Sequence, residues 1–134
     1  MAYQVSRVND EVKAIAVIGG PTDQFQSCRD RPALYHRVLK PLIGDTMNFR
    51  KEYIRRSAIF WAHEINEPTL ILHGENDSRV NLFHATKLAS LMKENGNIVS
   101  LHVFREGDHS LRLSSQMEER RDSIILDWFN QHLK

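Results

Sequence analysis

Pro68-Thr69-Leu70-Ile71-Leu72-His73-Gly74-Glu75-Asn76-Asp77-Ser78-Arg79-Val80 is the stretch from which the rest of the chain can be ordered. Thr69 to Leu72 is a short apolar run. Pro68 stands just before it, where a strand tolerates a residue without an N–H, and Gly74 ends it. The residues after it form a polar loop. Two further runs share this character: Ala14 to Ile18, ended by Gly19-Gly20-Pro21, and Ile98 to Phe104, bounded by Gly96-Asn97 and Glu106-Gly107. In all three the apolar residues are close to continuous, which predicts strands covered on both faces, as in a parallel sheet.

Helical patterns lie between and after these strands. Pro32 to Leu42 is predicted helical, with Pro32 as its first residue after Asp30. Phe49 to Ile59 is predicted as a second helix. Leu82, Ala85, Leu88, Ala89 and Met92 recur at helical spacing, and Gly96 is placed to stop that helix. Ser115 with Glu118 reads as a capping box for a last helix, whose apolar face is Met117, Ile124, Ile125, Trp128 and Phe129. Strand, helices, strand, helix, strand, helix predicts an α/β fold: a three-layer αβα arrangement of three or so parallel strands with right-handed crossovers.

Composition bounds the function. With 41% hydrophobic and 26% charged residues, the 134-residue chain is neither disordered, collagen-like nor a coiled coil. Eighteen Lys and Arg against seventeen Asp and Glu leave a formal charge of +1, so no electrostatic argument favours nucleic acid or an anionic membrane as partner. The longest unbroken apolar run, Ala14 to Ile18, is far too short to span a bilayer. Cys28 is the single cysteine, which excludes an internal disulfide and fits a reducing compartment. The opening Met1-Ala-Tyr-Gln-Val-Ser-Arg7 lacks the apolar core of a signal peptide, and a cytoplasmic location is expected.

In an open parallel sheet, functional side chains gather in loops beyond the carboxyl ends of the strands. The loop after the second strand carries Asp77, and Arg105-Glu106-Gly107-Asp108-His109-Ser110-Leu111 follows the third. Paired parallel strands lie about 4.8 Å apart, so these loops would emerge side by side. A carboxylate from one and an imidazole from the other can then meet. The carboxylate would fix the ring's tautomer and stabilise the imidazolium formed when the ring takes a proton from a nucleophile. Asp77 and His109 are the candidates. Taken alone, each has a plainer explanation: Asp77 as a turn former and His109 as a surface loop histidine. Asp108 reads as a turn residue, His73 as a packing residue at the strand end, Arg79 as an exposed arginine and Cys28 as an unpaired thiol. His73, Asp77, Asp108 and His109 have no recognised metal-ligand spacing, and Gly19-Gly20 is no phosphate loop.

Pro68 to Val80 resembles the acid-bearing loop of α/β-hydrolases of the prolyl oligopeptidase family, in which a proline opens the strand and HG-x-x-D-x-x-V carries the triad aspartate. Gly107-Asp108-His109 resembles the same family's histidine loop, some thirty residues later and before a closing helix. Ser57 is similar to the serine that often begins the run-in to the acid strand, although Ala58 stands where the family usually has proline. Lys13 to Asp23 is similar to the strand and loop after the nucleophile. The resemblance runs from about Val12 to Leu133, with Asn81 in place of a common proline and Ser110 in place of a frequent glycine.

The resemblance implies a serine peptidase or hydrolase in which Asp77 orients His109, acting on peptide or ester bonds without a metal or organic cofactor. The family's order is serine, aspartate, histidine, with the serine in a G-x-S-x-G elbow. None of the ten serines here stands in such an elbow, Cys28 has none, and no HGGG-type segment offers an oxyanion loop. The chain is therefore expected to be the carboxyl-terminal part of a catalytic domain, supplying acid and base but lacking the nucleophile, and to be inactive alone. An exposed edge at Ala14 to Ile18 would favour self-association or a complementing chain. The alternative is a non-catalytic α/β association module.

Overall fold

The computed structural model describes residues 2–133; Met1 and Lys134, the two ends of the expected domain, lie outside the described residues. Three strands, β1 (Ile15–Ile18), β2 (Thr69–Gly74) and β3 (Val99–Phe104), form one parallel sheet in the order β1-β2-β3. Ile15 pairs with Thr69 and Ile18 with Leu72; Thr69 pairs in turn with Val99, and Gly74 with Phe104. The central strand β2 is buried at every position, whereas β1 and β3 are mostly half-buried, as flanking strands must be.

Side chains alternate across the sheet with the two-residue period of a strand. Ile15 and Ile71 face one layer, where α6 (Phe83–Glu94) contributes Ala85, Leu88, Ala89 and Met92. Tyr3 of α1 (Ala2–Ser6) and Trp61 complete that side. Leu70, Leu72 and Phe104 face the other layer with Leu111, against Met117, Ile124, Ile125 and Trp128 of α7 (Ser115–His132). The result is the expected αβα sandwich. Its two sides differ: the α6 side is deeply packed, but on α7 Ile124, Ile125 and Trp128 are only partly buried. Among the described residues no helix is long and apolar enough to cross a membrane.

Several boundaries differ from those expected. The helix predicted over Pro32 to Leu42 is α3 (Pro32–Leu34), a π-helical turn at Tyr35–Leu39, and α4 (Lys40–Ile43). Pro41 lacks an N–H and crowds the carbonyl four residues back, so the turn before it widens and the Lys40 N–H bonds to Tyr35 O. The helix expected to reach Ile59 is α5 (Arg50–Arg55), followed by 3-10 turns at Ala58–Phe60 and Ala62–Glu64. Ser57 breaks it: its backbone is extended, and its buried hydroxyl donates to Tyr53 O at 2.6 Å and accepts from the Gln24 N–H at 2.8 Å. The cap of α7 is Ser114 rather than Ser115, with the Met117 N–H donating to Ser114 Oγ at 3.2 Å. Glu118 therefore forms no capping box. A helix that no expectation covered, α2 (Gln24–Asp30), is capped by Asp23, whose carboxylate accepts from the Phe25 and Gln26 N–H groups.

Leu72 on the central strand is fully buried, whereas Leu126 on α7 is 62% exposed. Leu72→Ala is expected to cost about 2–5 kcal/mol in urea unfolding, and Leu126→Ala less than about 0.5 kcal/mol.

Candidate active site

The register of the sheet brings β2 and β3 to an end at the same level, Gly74 beside Phe104. Backbone bonds then stitch the two following loops together. The Glu75 N–H donates to Phe104 O and the Asn76 N–H to Gly107 O, each at 2.9 Å. The approach is so close that a Cβ on Gly74 would lie 2.2 Å from Gly107 O and 2.3 Å from Asp108 O. Only glycine fits there.

Within the first loop the Asp77 N–H donates to Gly74 O, and Asp77 Oδ1 accepts from the N–H groups of Arg79 at 2.8 Å and Val80 at 2.9 Å. The carboxylate is thus folded into its own loop, its side chain wholly buried. Its second oxygen, Oδ2, lies 2.8 Å from His109 Nδ1 and 3.4 Å from His73 Nε2. His73 Nε2 also sits 2.8 Å from Val80 O. A carbonyl only accepts, so that nitrogen carries a proton and closes the loop from β2. The sequence places His73 at the strand end as a packing residue; the structure adds this contact with the acid.

His109 and Asp77 therefore meet as the spacing predicted. An ionised carboxylate accepts, so Nδ1 of His109 holds the ring's proton and Nε2 is left with a free lone pair. His109 is 31% exposed, with no protein partner on Nε2 among the described residues. Burial alone would raise the Asp77 carboxyl, but the Val80 N–H, the His109 contact and the Arg79 N–H outweigh it and hold the group below the ordinary carboxylate range. Asp108 turns away, accepting from the Arg112 N–H at 3.1 Å, which leaves it the turn residue that the sequence indicated.

The loop after β1 closes over this pair. Gly19 has φ +55°, and a Cβ there would lie 2.8 Å from His109 Nδ1 and 3.1 Å from Asp77 Oδ2. Sequence reasoning missed the residue that holds this loop, His84 on α6. It is buried, and its Nδ1 accepts from the Thr22 and Asp23 N–H groups, each at 3.2 Å. Burial pushes this imidazole below its ordinary range, against the pull of Asp23 and Asp30, so it stays neutral as an acceptor must. A lone histidine among apolar residues of a helix gave no signal. A cleft of about 520 Å³ runs beside His109 between Gly20, Pro21, Leu34, Leu39 and Val80. On the other flank an open recess of about 530 Å³ is bordered by Ile18, Ser110, Arg121 and Ile125.

Residues 27–134, most of the chain and all of β2, β3 and their loops, match the sequence profile of the prolyl oligopeptidase family. The chain belongs to that family. It is 35% identical over 80 residues to a Bacillus subtilis (strain 168) protein described as uncharacterized peptidase YuxL, an overlap of 58% of this chain and 12% of that protein. Pyrococcus horikoshii acylaminoacyl peptidase superposes with a TM-score of 0.86 at 24% identity, covering 97% of this chain and 22% of that one. An acylaminoacyl peptidase in complex with Z-Gly-Gly-Phe-chloromethyl ketone gives a TM-score of 0.85, also at 24% identity, over 97% of this chain and 21% of that one. The fold is that of the α/β-hydrolase peptidases, and the family is one of serine peptidases. The chain spans about an eighth of the curated relative and about a fifth of these structural neighbours.

A carboxyl whose folded-state pKa is depressed stabilises the fold above its unfolded value, about 3.9, and loses that contribution as pH falls through the folded value. Asp77→Asn is therefore expected to lower the urea midpoint at neutral pH. It should also flatten the pH dependence of that midpoint below about pH 4. An unchanged pH profile would show that the Asp77 contacts carry no stability.

Proposed function

We propose that Asp77 and His109 are the acid and base of a Ser-Asp-His triad that cleaves peptide or ester bonds. The 134 residues would form the carboxyl-terminal part of an α/β-hydrolase catalytic domain, and the serine would come from residues outside them. The observation that carries this is the 2.8 Å contact between Asp77 Oδ2 and His109 Nδ1, with Nε2 facing open space. In that arrangement Nε2 takes the proton from a serine hydroxyl as it attacks a carbonyl, and the buried carboxylate stabilises the imidazolium. Nε2 then returns the proton to the leaving group.

Two features support an external serine. Ser27 lines the cleft that His109 also lines, but its hydroxyl donates to Asp23 O at 3.0 Å, and its residue lies in no strand-to-helix elbow. In addition, among the described residues β1 has a strand on one side only, and Ile18, Ile125 and Trp128 around it are incompletely covered. A nucleophile-bearing strand seated there would cover them and approach the recess beside His109. The apolar wall of Pro21, Leu34 and Leu39 suits an apolar side chain of the substrate. The lone thiol, Cys28, fits a cytoplasmic setting.

The test is complementation. The chain alone should not cleave peptide or ester substrates; mixed with a serine-bearing amino-terminal half of such a domain it should. His109→Ala should then lower kcat by roughly 10²–10⁴-fold, and Asp77→Asn by up to about 10⁴-fold. Recovered activity indifferent to His109→Ala would overturn the assignment. Because the β1 edge is open, the chain by itself is expected to self-associate as its concentration rises, and sedimentation velocity showing only monomer would contradict this.

A further inference from the structure

Arg121 is the one buried residue of α7, its side chain 8% exposed. Its Nη1 lies 3.2 Å from Ser110 O and 3.4 Å from Leu111 O, the carbonyls of the two residues that follow His109. Nε and Nη2 each reach Asp122 Oδ1 at 2.7 Å, and Glu118 Oε1 lies 3.7 Å from Nη2. If the ion pairs were the purpose of this guanidinium, it would not need to be buried. Asp122 and Glu118 are 58% and 44% exposed and can be met from solvent. Burial costs a guanidinium its hydration. What it gains is access to the two carbonyls.

Those carbonyls belong to a segment that needs holding. Leu111 is fully buried against Leu70, Leu72 and Phe104 yet has φ +54°, a left-handed conformation that a bulky residue rarely adopts. Such backbone persists only where its surroundings over-determine it. The core fixes Leu111 by its side chain, and Arg121 fixes it by its carbonyl. On the other flank of His109, the Asp108 carboxylate holds the Arg112 N–H. The imidazole thus stands on a loop pinned on both sides, and one pin comes from a different element.

We propose that Arg121 is a positioning residue for His109: by holding the Ser110 and Leu111 carbonyls from α7, it sets the aim of the imidazole on Asp77. Its meaning for catalysis rests on the triad reading, but the geometry can be tested without turnover. In the 134-residue chain labelled with ¹⁵N-histidine, the signal lost in His109→Gln identifies the Nδ1–H resonance of His109. Arg121→Met should speed exchange of that proton with water by about tenfold, the loss of roughly one charge-assisted hydrogen bond, or broaden it away. The His84 resonances should stay in place. Arg121→Lys, with one compact ammonium for two carbonyls, should fall between. Exchange at the parent rate in folded Arg121→Met overturns the proposal. If Arg121→Met also loses the His84 signals, Arg121→Lys decides: intermediate exchange supports the proposal, and parental exchange overturns it. In the complemented enzyme kcat should fall with KM unchanged. Complementation that yields no activity while the exchange still responds to Arg121 would remove the triad reading and leave this link standing.

Discussion

The backbone of Gly74 touches the carbonyls of Gly107 and Asp108, and the site depends on that contact. Two parallel strands can end at one level without their loops meeting. Here the absence of a Cβ lets the loops press together and exchange hydrogen bonds, from Glu75 to Phe104 and from Asn76 to Gly107. Asp77 and His109, 32 residues apart, are thereby carried to within 2.8 Å. A side chain at position 74 would force the Gly107 and Asp108 carbonyls away and strain the contacts that join the loops.

Around that contact the protein spends polar groups on the pair from every side. Arg79 and Val80 give their N–H groups to one carboxylate oxygen, while His73 and His109 approach the other. His84 holds the loop that carries Gly19 over the imidazole. The carboxylate can be buried because these donors replace its water, and a buried, fixed carboxylate orients an imidazole better than a solvated one. The sheet supplies rigidity from beneath. The arrangement leaves the carboxylate buried and the imidazole partly open to solvent.

Much of this was legible in the sequence, and the reasons are particular. The apolar runs at Ala14–Ile18, Thr69–Leu72 and Ile98–Phe104 mark all three strands, but burial on both faces holds only for the central β2; β1 and β3 are mostly half-buried, and β3 admits Ser100 and His102. Asp77 and His109 stand out because each follows such a strand in a glycine-containing loop; strand adjacency paired them and the family resemblance supported the pairing. What escaped depends on neighbours distant in sequence. The π turn before Pro41 and the break at Ser57 arise from one missing N–H and one buried hydroxyl. Asp23-Gln24-Phe25-Gln26 did carry a capping pattern for α2, but the seven residues that follow Asp23 have no sustained apolar periodicity to extend it. The roles of His84 and Arg121 had no local signal, since both act on backbone groups brought near only by the fold.

The central claim is that Asp77 holds His109 with its proton on Nδ1 and its Nε2 free to take another. The ¹⁵N chemical shifts of the His109 ring, recorded on the 134-residue chain at neutral pH, test it most directly. The Nδ1–H tautomer should dominate in the parent and give way to a tautomer mixture in Asp77→Asn. A parent ring already protonated on Nε2, or one indifferent to Asp77→Asn, would contradict the account.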